Sequence, residues 1–110
     1  MGYGNWDDLL SEYNEIYLNS RYHEHAQSMI ELIPKIRNAS IVSTAIPISS
    51  HATLCLQLPV SHIKVCVWGE ANEIYRVYLY DYQTNGNSDE VLVGGDQIIS
   101  TLQAYLNRIG

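Results

Sequence analysis

IKVCVWGEANEIYRVYLYDY, residues Ile63 to Tyr82, decides the fold of this chain. Both arms of the stretch are rich in β-branched and aromatic side chains, which suit a pleated, half-buried surface. Side chains alternate between faces along a strand. In the first arm Ile63, Val65 and Val67 share one face, and Lys64, Cys66 and Trp68 share the other. In the second arm Tyr75, Val77, Leu79 and Asp81 share one face, and Ile74, Arg76, Tyr78, Tyr80 and Tyr82 share the other. The aliphatic faces are expected to align towards a core. That leaves a row of Tyr78, Tyr80 and Tyr82, with Arg76 and Trp68, on the opposite side. Gly69-Glu70-Ala71-Asn72-Glu73 between the arms has the length of a hairpin connection, with Gly at its start.

The second face carries the functional question. A solvated sheet face is ordinarily Thr, Lys, Glu or Gln, and this one is aromatic. Half-polar rings resting loosely on a strand are one explanation. An interface is the other, because Tyr, Trp and Arg are the anchor residues of protein–protein contacts.

Upstream, the pattern is helical. Asn5 is a suitable N-cap, with Asp7 and Asp8 in the first turn to complement the helix dipole. Trp6, Leu9, Leu10, Tyr13, Ile16 and Tyr17 recur at helical spacing, and so do Tyr22, Ala26, Met29, Ile30 and Ile33. Asn19-Ser20 breaks the run or caps a second helix, and Pro34 is expected to end or kink it. Strands begin after Ala39: Ser40 to Ile48, with Pro47 marking an edge or a terminus, then a turn at Ser49-Ser50-His51, then Thr53 to Leu58. Downstream, Asn85-Gly86-Asn87 is the strongest turn signal, and Glu90 to Val93 can form a short fifth strand. Gly94-Gly95-Asp96 opens the last helix with Asp96 as N-cap. Its stripe is Ile98, Ile99, Leu102, Tyr105, Leu106 and Ile109.

The expectation is a single domain over residues 1–110 with an α+β fold: an antiparallel β-meander of four to five strands, with an N-terminal helical segment and a C-terminal helix packed on one face. Six bases stand against twelve acids, a net charge of −6. That disfavours nucleic acid, which demands a basic footprint, and favours a basic protein partner or plain solubility. The acids are segregated: residues 1–31 hold six, residues 70–96 hold six, and residues 32–69 hold none. No membrane-length apolar run and no signal peptide is read from the sequence, so a cytoplasmic protein is expected. With no Phe and nine Tyr, many rings must be partly buried or hydrogen-bonded.

No catalytic or cofactor motif emerges. His23, Glu24 and His25 lack the i, i+3 or i+4 spacing of helical metal ligands and read as an exposed polar helix face. Cys55 and Cys66 sit mid-strand among Leu and Val and read as buried, inert thiols, although a bridge between them is geometrically open if their strands are neighbours. Gly94-Gly95 lacks the lysine of a phosphate loop. The carboxylate pairs Asp7/Asp8, Glu70/Glu73 and Asp89/Glu90 lie in polar turns or on a helix face, where nothing splits their pKa values.

In size, charge and architecture, but without a diagnostic motif, the whole chain resembles the small acidic immunity proteins of bacterial toxin–immunity systems. That resemblance implies a non-catalytic, cofactor-free inhibitor that binds and occludes a toxin protein. On this reading Trp68, Tyr78, Tyr80 and Tyr82 are aromatic anchors beside Arg76, and Glu70, Glu73, Asp81, Asp89 and Glu90 form an acidic rim for a basic partner. The chain also resembles acidic secretion chaperones, which implies a homodimer that holds a client segment. An enzyme is the third class, and it requires at least two of His23, His51, His62, Cys55 and Cys66 together in one pocket.

Overall fold

The computed structural model describes residues 6–19, 21–39, 45–50 and 52–109. Among the described residues, three helices and five strands follow in the order α1 (Trp6–Asn19), α2 (His23–Ala39), β1 (Ile46–Ser50), β2 (Thr53–Gln57), β3 (Ile63–Gly69), β4 (Ile74–Asp81), β5 (Gly86–Gly94) and α3 (Ile98–Ile109). The strands pair antiparallel in sequence order, β1-β2-β3-β4-β5. This is the α+β meander expected from the sequence.

Period-2 alternation sends Leu54, Leu56, Val65, Val67, Tyr75, Val77 and Leu79 to one sheet face, and all are buried. The helices cover that face with Leu9 and Tyr13 of α1, Met29, Leu32, Ile33 and Ile36 of α2, and Ile98, Leu102 and Leu106 of α3. One continuous core results, and its non-directional burial is the main driving term for the fold.

Several boundaries differ from the sequence reading. The N-terminal segment, for which the sequence allows one kinked helix or two, is two helices, α1 and α2. Pro34 neither ends nor breaks α2, which continues to Ala39. Leu32, Ile33 and Ile36 on both sides of it are fully buried, and this packing outweighs the lost backbone hydrogen bond. Ser49 and Ser50 extend β1 rather than turning, because Ser50 pairs with Thr53 across a two-residue connection in which Ala52 takes a φ of 68°. Pro47 lies in β1, the edge strand, opposite Leu56. The Asn5 cap, His51 and most of the expected strand Ser40 to Ile48 lie outside the described residues.

Downstream, the β4–β5 turn is residues 82–85, closed by a bond from Asn85 N to Asp81 O of 2.8 Å. Asn85 takes the left-handed conformation (φ 56°), while Gly86 and Asn87 already belong to β5. β5 is nine residues long instead of four. Its polar start is held by pairing with β4, which overrides weak local propensity. A bulge falls between the Val77–Val91 and Leu79–Ser88 pairs, with Asp89 at φ 56°. From α3, Tyr105 OH donates to Asp89 O at 2.5 Å and pins the bulge. The last helix starts at Ile98, so its cap position is Gln97, not Asp96. Gln97 O accepts from Thr101 N at 3.0 Å.

Candidate functional site

The face of the sheet opposite the helices carries the site. Thr53 and Cys55 of β2, Lys64 and Cys66 of β3, Tyr78 and Tyr80 of β4, Tyr82 just beyond it and Asn87 of β5 line an open cleft of about 460 Å³. Register places them together. Cys55 lies opposite Cys66, Cys66 opposite Tyr78, and Lys64 opposite Tyr80.

Lys64 is the centre of the arrangement. It is only 8% exposed, and its Nζ lies 5.2 Å from the Tyr80 ring centroid and 5.0 Å from that of Tyr82. The two rings meet edge to face at 5.4 Å. An ammonium held against two phenol faces is a cation–π cage. Burial acts to lower the Lys64 pKa, but the negative charge available at Cys55, Tyr82 and Cys66 outweighs it and raises the pKa. The tyrosine hydroxyls are tethered: Tyr80 OH donates to Asn85 Oδ1, and Tyr82 OH donates to Gln57 Oε1 at 3.2 Å. Burial, then the neighbouring Cys66 and Cys55, push the Tyr78 phenol up to about 12.

Beneath the rings, the Cys55 and Cys66 Sγ atoms are 3.7 Å apart. Both thiols are buried, but on the tyrosine face and not among the core leucines and valines. The hydrogen bond with Cys66 and the Lys64 ammonium bring Cys55 down to about 7 against the effect of burial. Cys66 is driven upward, first by the proton it shares with Cys55 and then by burial. Cys55 and Cys66 are free and buried as expected, but they lie on the tyrosine face beside Lys64, a placement that comes from the register and not from strand composition. The enzyme reading asks for at least two of five side chains together in one pocket, and two of them, Cys55 and Cys66, line this cleft. No histidine is among the described residues that line it.

Tyr78, Tyr80 and Tyr82 share the face read from the sequence, but Trp68 is not part of their row. Its indole stacks on the His25 ring at 3.6 Å between centroids and 10° between planes, with Tyr22 edge-on at 6.3 Å. Trp68 sits at the end of the sheet where α2 begins, so a helix residue is available to cover it. His25 itself is buried, not on an exposed helix face as expected. Its Nδ1 accepts from Gly69 N at 3.1 Å, and its Nε2 lies 2.8 Å from Ala52 O. The neutral ring with hydrogen on Nε2 satisfies both. Tyr13 OH donates to the same Ala52 carbonyl at 2.8 Å.

Arg76 ties the face to the acids around it, reaching Glu70 and Glu90 at 2.9 Å each. Asp89 pairs with Arg108 at 2.5 Å and Asp81 with His62 at 3.0 Å. The His62 contact and the Gln83 backbone N–H hold Asp81 below the usual carboxylate range. Glu73 alone of the five rim acids makes no ion pair among the described residues. Pairs this exposed add little to stability.

Sequence reasoning missed Lys64, the paired thiols and Asn87 as lining residues. The signal was present, since Lys64 and Cys66 stand on the Trp68 side of the alternation, but which residues of β2 and β5 lie opposite is a matter of register. Comparison with protein-family models, with curated proteins and with solved structures finds no match to this chain. The fold and the site define a two-layer α+β protein whose sheet is covered on one face and open, aromatic and concave on the other.

Proposed function

We propose that this chain is a non-catalytic binding protein, an immunity-like inhibitor that seats a basic partner protein on its uncovered sheet face and occludes it. The observation that supports the reading is the placement of Tyr78, Tyr80, Tyr82, Lys64 and Arg76 on the one face that no helix covers. Aromatic rings held by their own hydroxyl tethers lose little conformational freedom on contact, which favours affinity. The net charge of −6 accelerates encounter with a basic surface. Glu70 and Glu90, paired with Arg76, are the acids beside that contact, whereas Asp89 pairs with Arg108 of α3 and Glu73 stands against α2.

The direct test uses the purified product of the reading frame beside this one. Light scattering after size-exclusion chromatography and titration calorimetry read the complex, and the partner's own activity assay reads inhibition. The expected result is a 1:1 complex with loss of the partner's activity. Replacing both Tyr80 and Tyr82 by Ala weakens it by about thirtyfold or more, the effect of losing about 2 kcal/mol of anchor contact. No complex and no inhibition refute the reading. A stable homodimer that holds an extended client through the same face moves the protein to the chaperone class.

A further inference from the structure

Cys55 and Cys66 are directly opposed on antiparallel neighbours. Opposed residues in such a ladder have Cα atoms about 4.5–5.5 Å apart, inside the window of about 4.4–6.8 Å that a disulfide accepts. The sulfurs are 3.7 Å apart, so side-chain rotation closes the gap without moving either strand. The pair lines the open cleft, not the core, and both residues are nearly covered, at 1% and 2% exposure. Such cover keeps out proteins. Lys64, diagonal to Cys55 in the register, supplies the cation that a thiolate needs.

We propose that Cys55 and Cys66 form a reversible oxidation site in which a small hydroperoxide oxidises Cys55 and Cys66 resolves the product to a disulfide across β2 and β3. The Cys55 thiolate attacks one peroxide oxygen and the O–O bond breaks. Sulfur loses two electrons to become the sulfenic acid. The leaving oxygen takes a proton and departs as water, or as an alcohol from an alkyl hydroperoxide. Cys66 sulfur then attacks the sulfenic sulfur; the S–S bond forms and the S–O bond breaks. The hydroxyl leaves with the Cys66 proton as a second water. The sum is two thiols and one hydroperoxide to one disulfide, with one water from each step, or an alcohol and a water. A small dithiol returns the pair by exchange.

The split between the two sulfurs matches these roles. The hydrogen bond with Cys66 and the Lys64 ammonium lower the Cys55 pKa, so Cys55 attacks first. Cys66 keeps its proton until the sulfenic acid is in place. The Lys64 ammonium, between the thiols and the rings of Tyr80 and Tyr82, stays in its aromatic cage after the thiolate is consumed.

The test uses the full chain, reduced and then exposed to one equivalent of hydrogen peroxide. Denaturing alkylation and intact mass spectrometry follow. Two alkyl groups are expected before oxidation. None is expected after it, with the mass of a single chain less two hydrogens, and both return on treatment with a dithiol. In Cys66→Ser, dimedone traps a sulfenic acid at Cys55. In Cys55→Ser, no such adduct forms at Cys66 under the same exposure. Lys64→Gln slows the wild-type reaction several-fold, and the acid limb of its pH profile, where Cys55 takes up its proton, moves upward. Retention of both alkylatable thiols, a disulfide joining two chains, or dimedone capture at Cys66 in place of Cys55 overturns the proposal. The wild-type arm decides the disulfide even where a variant fails to fold.

Discussion

Gly69 looks from the sequence like the start of a turn, and its real role gives the sharpest stability prediction. It is the last residue of β3, without a positive φ, and β3 there runs against α2. A Cβ built on Gly69 would stand 2.6 Å from Ser28 Cβ, 3.3 Å from His25 O and 3.3 Å from Met29 Sδ. Carbon atoms pack best at about 3.5–4.0 Å, so Gly69→Ala demands roughly 1 Å of retreat. Retreat is opposed on both sides. Gly69 N is tied to His25 Nδ1 at 3.1 Å, and Ser28 Oγ donates to Glu70 O at 2.8 Å. Overpacking of this kind costs about 1–3 kcal/mol. With an unfolding entropy of about 2.1 cal/mol/K per residue, the 110 residues give roughly 4 °C per kcal/mol, so the expected fall in Tm is about 4–12 °C. Urea unfolding at constant m reads the same loss. Ser28→Gly removes the clashing carbon at its own cost of about 2 kcal/mol, from a helix-interior glycine and a lost hydrogen bond. Combined with Gly69→Ala, it should cost at least about 1 kcal/mol less than the sum of the two. A single variant within about 0.5 kcal/mol of wild type, or strict additivity in the double variant, refutes the close-approach argument.

Four further outcomes follow from named contacts. Glu73 sits at φ 59°, a conformation that Gly adopts freely, so Glu73→Gly should raise stability by about 0.5–1 kcal/mol in urea titration. Leu102 of α3 is fully buried, and Leu102→Ala should cost about 2–5 kcal/mol by the same measurement. The His25 pKa is lowered by burial, against the raising effect of the Ala52 and Gly69 backbone and of Glu70. The unfolded chain therefore takes up this proton near 6.5 while the fold resists it to lower pH. The His25 contribution is complete above about 6.5 and is lost as pH falls from there through the folded pKa. A ring-proton NMR midpoint at or above 6.5 contradicts this. Tyr75 OH donates to Ser28 O at 3.2 Å in a buried setting, so Tyr75→Phe should cost about 0.5–1.5 kcal/mol, whereas Tyr82→Phe, at 45% exposure, should stay within about 0.5 kcal/mol of wild type.

The meander and the helical segments before and after it were legible because each depends on local periodicity. Alternation through Val65, Val67, Val77 and Leu79 fixes a face in any register, and a 3.6 repeat through Ile98, Leu102 and Leu106 fixes a stripe. What was not legible depends on contacts far along the chain. Pro34 stays helical because buried residues flank it. Gly69 is small because α2 passes over it, a fact held by Ser28, forty-one positions away. Asn85-Gly86 carries a turn signal, but the pairing of Asp81 with Gly86 moves the turn upstream. His25 and Trp68 meet through the placement of a helix end, and each alone reads as a surface residue. The site was legible as a tyrosine row and not as a cleft, since Cys55 and Lys64 enter it only through the β2–β3 register.

The absence of phenylalanine now has a structural meaning. Tyr13 and Tyr75 fill core volume, and their hydroxyls reach Ala52 O and Ser28 O. Tyr105 uses its hydroxyl on the β5 bulge. In each case the ring packs and the oxygen secures an irregular piece of backbone, namely a tight turn, a helix carbonyl or a bulge, that hydrophobic packing alone would leave loosely placed. Tyr80 and Tyr82 differ. Their hydroxyls bind side chains of Asn85 and Gln57, and their faces turn to Lys64. Removing those two rings withdraws no support from the backbone of the core, yet it opens the lysine cage to water. The core tyrosines answer to the fold, and the cage tyrosines answer to whatever occupies the face. A substitution that separates binding from stability is therefore to be sought at Tyr80 and Tyr82, and not at Tyr13 or Tyr75.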